Sequence, residues 1–245
     1  MANLVIDIGN TYTKVAVFDN HQLIYTDQHE AFDADTLNGY LDKYAIKKAI
    51  LSTVKNKTES WQDLLKHKTE LLKFNPAEYK GINNKYLTPQ TLGADRLAAV
   101  IGANYLYPGK SSLVIDAGTC VTYDLIDADA NYFGGSISPG LNMRYNALNY
   151  YTGGLPLIKS DAGFTNNYGN DTTTAIQSGV QNGLKYEITG FIESYTKSYP
   201  QLNIILTGGD AIFFDTVLKN SIFAPYIKME PHLVLKGLNV AIQQL

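Results

Sequence analysis

The sequence contains one cysteine, Cys120, in 245 residues. A disulfide framework within the chain is thereby excluded. Histidine is scarce too, with His21, His29, His67 and His232 scattered along the chain. With no HExxH run and no CxxC pair, a structural zinc site is not expected. No segment approaches the roughly 18 unbroken apolar residues that a membrane-spanning helix requires. The chain opens Met1-Ala2-Asn3, without a basic stretch ahead of an apolar one, so we expect a cytoplasmic protein that is neither secreted nor inserted. Positive charge is thin: the formal net charge is −3, and the densest basic cluster is Lys47 and Lys48. A nucleic-acid partner is therefore not expected. GxxxxGK[ST] is missing, as is GxGxxG after a strand, which disfavours a mononucleotide P-loop and a dinucleotide fold.

What is present is enough apolar sequence, 45% of residues, for two linked cores of about 100 residues each. The 18 tyrosines are dispersed at no fixed period and point to no one function. An internal echo is more informative. Leu4-Val5-Ile6-Asp7-Ile8-Gly9 is matched by Leu113-Val114-Ile115-Asp116-Ala117-Gly118, and a second apolar run follows each copy. Each copy reads as a buried strand, a Gly/Thr turn and a returning strand. Third strands are predicted over 22–27 and 131–137. The first half continues with a helix over 33–44, a strand over 49–54 and a helix over 60–72. The second continues with helices over 142–150 and 172–195, a strand over 203–206, and helices after Gly209 and after His232. The pattern is α/β with mixed sheets. Residues 91–103 carry helical spacing, and Pro108-Gly109-Lys110 has turn composition, so domains are expected at 1–109 and 110–245.

The chemistry begins at Asp7-Ile8-Gly9-Asn10-Thr11-Tyr12-Thr13-Lys14. A carboxylate at a strand end, beside a Gly turn and hydroxyls, can hold Mg²⁺ through water while backbone N–H groups meet phosphate oxygens. An ordinary hairpin turn could satisfy the same residues locally. Asp116-Ala117-Gly118-Thr119 repeats the arrangement, and two such turns across a cleft could hold a triphosphate where one could not. Thr207-Gly208-Gly209-Asp210-Ala211, a strand running into a helix start, lets a ring or sugar approach the backbone.

The sequence resembles the type III pantothenate kinases, of the acetate and sugar kinase/Hsp70/actin superfamily. DxGNTxxK at 7–14, LGADR at 92–96, DAGT at 116–119, GGxIxPGL at 134–141, GxxTxxAIxxG at 169–179 and TGGDA at 207–211 carry the likeness in order. It implies two ribonuclease H-like domains of duplicated topology with an ATP cleft between them. The implied reaction is transfer of the γ-phosphoryl group of ATP to pantothenate, giving 4'-phosphopantothenate, the first step towards coenzyme A. By the same likeness Asp95 is the proton acceptor, and Gly93, Ala94 and Arg96 line the acceptor site, with Tyr86 and Thr172 contacting pantothenate. Residues 7–14 and Thr119 hold the ATP phosphates. Asp116 binds a monovalent cation, K⁺ or NH₄⁺, and Mg²⁺ accompanies ATP near Asp7. A homodimer is also implied, with the helices after Gly140 and Thr172 offering a self-complementary surface.

Two residues depart from the family pattern: Cys120, where Ala is usual, and Gly153 in Thr152-Gly153-Gly154-Leu155-Pro156. Both replacements are small and bear on packing, and a lone cysteine in an apolar run is expected to be buried. Two other functions stay open on residues alone. One is a kinase for a sugar or small carboxylate, the other a nucleotide-binding regulator without turnover.

Overall fold

A computed structural model describes residues 2–53, 59–219 and 221–243. The chain forms two compact units. One comprises Met1–Gly109 with Ala130–Phe133 and His232–Leu245, the other Lys110–Asp129 with Gly134–Pro231. The contiguous halves expected at 1–109 and 110–245 are thus interleaved, because the last helix buries its apolar face in the first unit.

The first unit is built on β1 (Ala2–Ile8), β2 (Thr13–Asp19), β3 (Gln22–His29), β4 (Ile46–Thr53) and β5 (Glu70–Lys73), in the order β3-β2-β1-β4-β5. Strand β2 pairs antiparallel with both β1 and β3, while β4 pairs parallel with β1 and β5 parallel with β4. Strand β1 is central and buried on both faces, as its continuous apolar run requires. On one face Leu4, Ile6 and Ile8 pack with Leu37 of α1 (Ala34–Lys43) and with Trp61 and Leu65 of α2 (Trp61–Lys68). Asp33 caps α1 by accepting the Thr36 N–H at 2.9 Å. The helix predicted over 60–72 stops at Lys68; Leu71 and Leu72 instead pair with Ala49 and Ile50 as β5. A short apolar run of this kind has no periodicity that separates the two states. Val54, the last residue of the strand predicted over 49–54, lies outside the described residues.

A short β6 (Asn83–Asn84) and α3 (Ala94–Leu106) complete the contiguous part of this unit. The closing α8 (Leu233–Gln243) packs on α3 and on β1. A Cβ on Gly237 would stand 1.8 Å from the Ala98 carbonyl oxygen, and one on Gly102 2.6 Å from that of Leu233. Glycine at both positions lets the two helix backbones touch. Asn239, buried in α8, is spent on structure: it accepts from Asn3 at 3.1 Å and donates to the Asn20 carbonyl at 2.8 Å.

The second unit repeats the strand order. Strands β7 (Ser112–Ala117), β8 (Cys120–Ile126), β9 (Asn131–Pro139), β10 (Asn203–Thr207) and β11 (Ile227–Met229) lie in the order β11-β10-β7-β8-β9. The antiparallel β7/β8 hairpin and the parallel β10 mirror β1/β2 and β4. The start of β9 belongs with the first unit, where Asn131 and Tyr132 pair in parallel with β6. Helices α4 (Leu141–Tyr151), α5 (Thr172–Gln177), α6 (Gly183–Ser198) and α7 (Ala211–Leu218) supply core residues such as Leu141, Tyr145, Ile188, Ile192 and Phe214. The duplicated, mixed-sheet α/β topology expected from the echo is what the chain forms. The single helix predicted over 172–195 is interrupted by a π turn at Ser178–Asn182. Side chains in that turn are tied to the preceding loop: Ser178 donates to the Asn167 carbonyl at 3.0 Å and Asn182 to that of Asn166 at 2.9 Å.

Candidate active site

In the first unit, β1 and β2 bring Asp7 opposite Lys14, and the parallel β4 sets Ser52 beside Asp7. Ser52 donates to Asp7 Oδ1 at 2.9 Å, and both side chains are buried. Burial raises the Asp7 pKa to about 6; the Asp95 charge adds to the rise, while the Ser52 hydrogen bond and Lys14 oppose it. The carboxylate is thus under-compensated, and a cation at this position would restore its charge. Gly9, Asn10, Thr11 and Tyr12 form the turn after Ile8, closed by Gly9 N–H donating to the Tyr12 carbonyl at 3.0 Å. Asn10, Thr11 and Tyr12 are exposed and Thr13 is buried at the start of β2.

Asp95 stands in the first turn of α3, where its Oδ1 accepts the Arg96 backbone N–H at 2.8 Å. Gly93 is the N-cap of this helix. A Cβ there would fall 2.6 Å from Asp95 Oδ1, so the missing side chain leaves room for that carboxylate. Arg96 is buried, with its guanidinium carbon 5.6 Å from the centroid of the Tyr86 ring. Tyr86 in turn stacks on Tyr132 with centroids 6.3 Å apart. Ala94 is buried at the helix start. The fold therefore brings Asp7, Lys14, Tyr86, Gly93, Ala94, Asp95 and Arg96 into one unit.

Asp116, Thr119 and Thr172 belong to the other unit. Asp116 pairs across β10 with Thr207, as Asp7 does with Ser52. Gly208 has φ +97°, and a Cβ on it would meet Asp116 Oδ1 at 2.4 Å and the Ala117 carbonyl oxygen at 2.5 Å. Asp210 donates its N–H to that same carbonyl at 2.8 Å, and burial raises its side-chain pKa. Gly140 donates to the Thr119 carbonyl at 3.2 Å, and a Cβ on it would lie 2.4 Å from that oxygen. Three motifs that look unrelated in sequence thus abut at one turn. Thr172 opens α5, exposed, behind the Asp171 cap that accepts the Thr174 N–H at 2.8 Å.

Cys120, expected to be buried, is half-buried instead, because it opens β8 directly after the Thr119 turn. A Cβ on Gly153 would meet nothing within 4 Å, so glycine there answers no steric demand. Ser52 was missed in the sequence reading; its signal was a hydroxyl in an apolar strand at the level of Asp7. Asn84 was missed as well. Its Oδ1 accepts the Tyr86 N–H at 2.9 Å, and its buried Nδ2 has no hydrogen-bond partner.

The duplicated ribonuclease H-like topology, with an acidic turn in each copy, is a fold that solved structures share over the whole chain. They include the activator of 2-hydroxyisocaproyl-CoA dehydratase from Clostridium difficile with bound ADPNP, at TM-score 0.58 and 13% identity over 100% of this chain and 95% of that one. Component A of (R)-2-hydroxyglutaryl-CoA dehydratase from Acidaminococcus fermentans matches at TM-score 0.54 and 13% identity, over 99% and 97%. The profile of the type III pantothenate kinase family matches residues 3–194. Type III pantothenate kinases from Phocaeicola vulgatus (46% identity, 97% of this chain and 96% of the relative) and Christiangramia forsetii (41%, 98% and 98%) match end to end. The chain belongs to the type III pantothenate kinase family and is an ATP-dependent kinase.

Proposed function

We propose that the chain transfers the γ-phosphoryl group of ATP to the primary hydroxyl of pantothenate, yielding 4'-phosphopantothenate for coenzyme A synthesis. The observation that carries this reading is the carboxylate of Asp95, kept clear by Gly93 and oriented by the Arg96 N–H, in the same unit as the buried Asp7. Asp95 accepts the proton of the attacking hydroxyl. Arg96 and Tyr86, with Gly93, Ala94 and Thr172, hold the acceptor, the guanidinium countering the pantothenate carboxylate. Residues 7–14 and Thr119 hold the phosphates through backbone N–H groups, hydroxyls and Lys14.

The residues fit Mg²⁺ carried with ATP. Among the described residues no group of three or more His, Cys, Asp or Glu could cage a metal, and Mg²⁺ is commonly held by one or two carboxylates plus substrate phosphates. Asp7 would hold it through water, and the bound ion would neutralise phosphate charge. Asp116, with the backbone carbonyls around the Gly118 turn, supplies oxygen donors suited to K⁺ or NH₄⁺. Among the described residues no helix is long and apolar enough to cross a membrane. Exposed Met143, Tyr150 and Tyr151 on α4 and Tyr186 on α6 favour a homodimer, to be checked by sedimentation. The deciding experiment follows ADP release from Mg-ATP with K⁺, with and without pantothenate, and identifies the product by mass. ADP and phosphopantothenate should appear together, with Asp95→Asn about 10²-fold or more slower, the scale of a lost proton acceptor. A near-normal rate in that variant refutes the role of Asp95.

A further inference from the structure

In the second unit one guanidinium gathers three elements behind the Thr119 turn. Arg144, in the first turns of α4, donates from Nε to the Pro139 carbonyl at 2.9 Å and from Nη2 to Ser138 Oγ at 2.9 Å. The same Nη2 pairs with Glu187 Oε2 of α6 at 2.5 Å. The other oxygen of Glu187 accepts from the hydroxyl of Tyr123, a fully buried residue of β8, at 2.9 Å. Ser138 and Pro139 lead directly into Gly140, whose N–H is bonded to the Thr119 carbonyl and whose Cα leaves no room for a side chain against Gly118 and Thr119. Both charged side chains are largely buried, at 22% exposure each. A pair so placed is not a loose surface contact.

We infer that Arg144, anchored by Glu187, is a positioning residue for the nucleotide: it fixes the 138–140 segment, the end of β9 and the cap of α4, that buttresses Thr119, and so sets the direction of the Thr119 hydroxyl. A planar fork of donors is needed to hold a carbonyl, a hydroxyl and a carboxylate at once, and lysine cannot reproduce it. The inference rests on the proposed phosphate role of Thr119, so the test separates the two.

The KM values for ATP and pantothenate, kcat and the thermal midpoint are measured for the wild type, Thr119→Ala, Arg144→Lys and Ser138→Ala. Thr119→Ala and Arg144→Lys should each raise the ATP KM about tenfold, the scale of one displaced hydrogen bond to a charged group. The pantothenate KM should stay within about twofold, as uniform loss of nucleotide binding predicts. Ser138→Ala, which removes one acceptor with little risk to folding, should give a smaller rise of the same kind. If Arg144→Lys does not fold, Ser138→Ala decides. An unchanged ATP KM in the folded variants, beside a raised one in Thr119→Ala, overturns the positioning role. Equal rises in both KM values would mark a general loss of structure and overturn it too. An unchanged ATP KM in Thr119→Ala would instead sink the phosphate reading beneath it.

Discussion

Replacing Asp7 by Asn should stabilise the nucleotide-free protein at alkaline pH while abolishing turnover. The Asp7 carboxyl is 7% exposed, and its pKa is raised from 3.8 to about 6, chiefly by burial. The folded state therefore holds this proton more tightly than the unfolded chain does. Stability from that proton is fully present below pH 3.8 and is lost as pH rises through about 6. A shift of roughly two pKa units corresponds to about 3 kcal/mol at about 1.4 kcal/mol per unit. Asn removes the charge and keeps an acceptor for Ser52, but its amide hydrogens need partners, which returns part of the gain. A net stabilisation of about 1–2 kcal/mol at pH 8 remains. In a chain of this length that raises Tm by about 2–8 °C.

The assay is thermal unfolding of wild type and Asp7→Asn in chelator-containing, nucleotide-free buffer from about pH 3.5 to about pH 8, a span that runs from below the unfolded-chain pKa to above the raised one. The two curves should lie close together at the acid end and separate as pH rises, with the variant above. Added Mg-ADP should raise the Tm of the wild type and leave the variant almost unmoved. Parallel pH profiles, or a variant less stable than wild type at pH 8, would refute the claim that burial leaves this carboxylate under-compensated.

Gly93→Ala should fold with a Tm close to wild type yet lose kcat by about tenfold or more, because the new Cβ would meet the mobile end of Asp95 rather than backbone; circular dichroism with steady-state kinetics checks both halves. Gly208→Ala should be costlier to the fold, by about 1–3 kcal/mol, since it puts a side chain at φ +97° and against the Ala117 carbonyl; urea unfolding gives the figure. Ser52→Ala removes a hydrogen bond that lowers the Asp7 pKa, so the acid limb of kcat/KM should move to higher pH. A limb that stays in place would detach Asp7 from that profile.

The sheet topology was legible because its two central strands announce themselves twice. The echo at Asp7 and Asp116, each followed by an apolar return strand, gave the hairpins at 2–19 and 112–126 close to their true bounds. Elements that depend on partners were not legible. Leu71 and Leu72 become a strand only because β4 offers them an edge, and β11 and β6 are too short to carry a pattern. The return of α8 to the first unit rests on two glycines, Gly102 and Gly237, that lie far apart in sequence. Of the candidate site, the motif residues were visible as motifs, whereas Ser52 and the Arg144–Glu187 pair were not. Nothing in the local sequence says that a serine will lie level with a carboxylate, or that an arginine will span α4 and α6.

Duplication also gives the two copies a shared local arrangement. In each, a carboxylate ends a central strand and faces a hydroxyl residue of the next parallel strand, Ser52 in one and Thr207 in the other. The copies diverge in what covers that carboxylate. Asp7 is buried, accepts the Ser52 hydroxyl at 2.9 Å and has its pKa raised further by Asp95, which supports the proposed role of holding the Mg²⁺ that arrives with ATP. Asp116 is half-buried at a turn packed against Gly140 and Gly208, a setting that supports the proposed monovalent-cation role. Asp95 and Arg96 lie in the same unit as Asp7. That placement makes Asp7 and Asp95 electrostatically linked: replacing Asp95 by Asn removes a charge that raises the Asp7 pKa, so the acid limb of residual activity in Asp95→Asn should shift to lower pH. The same limb moving upward, or remaining fixed, would show that the two carboxylates titrate independently.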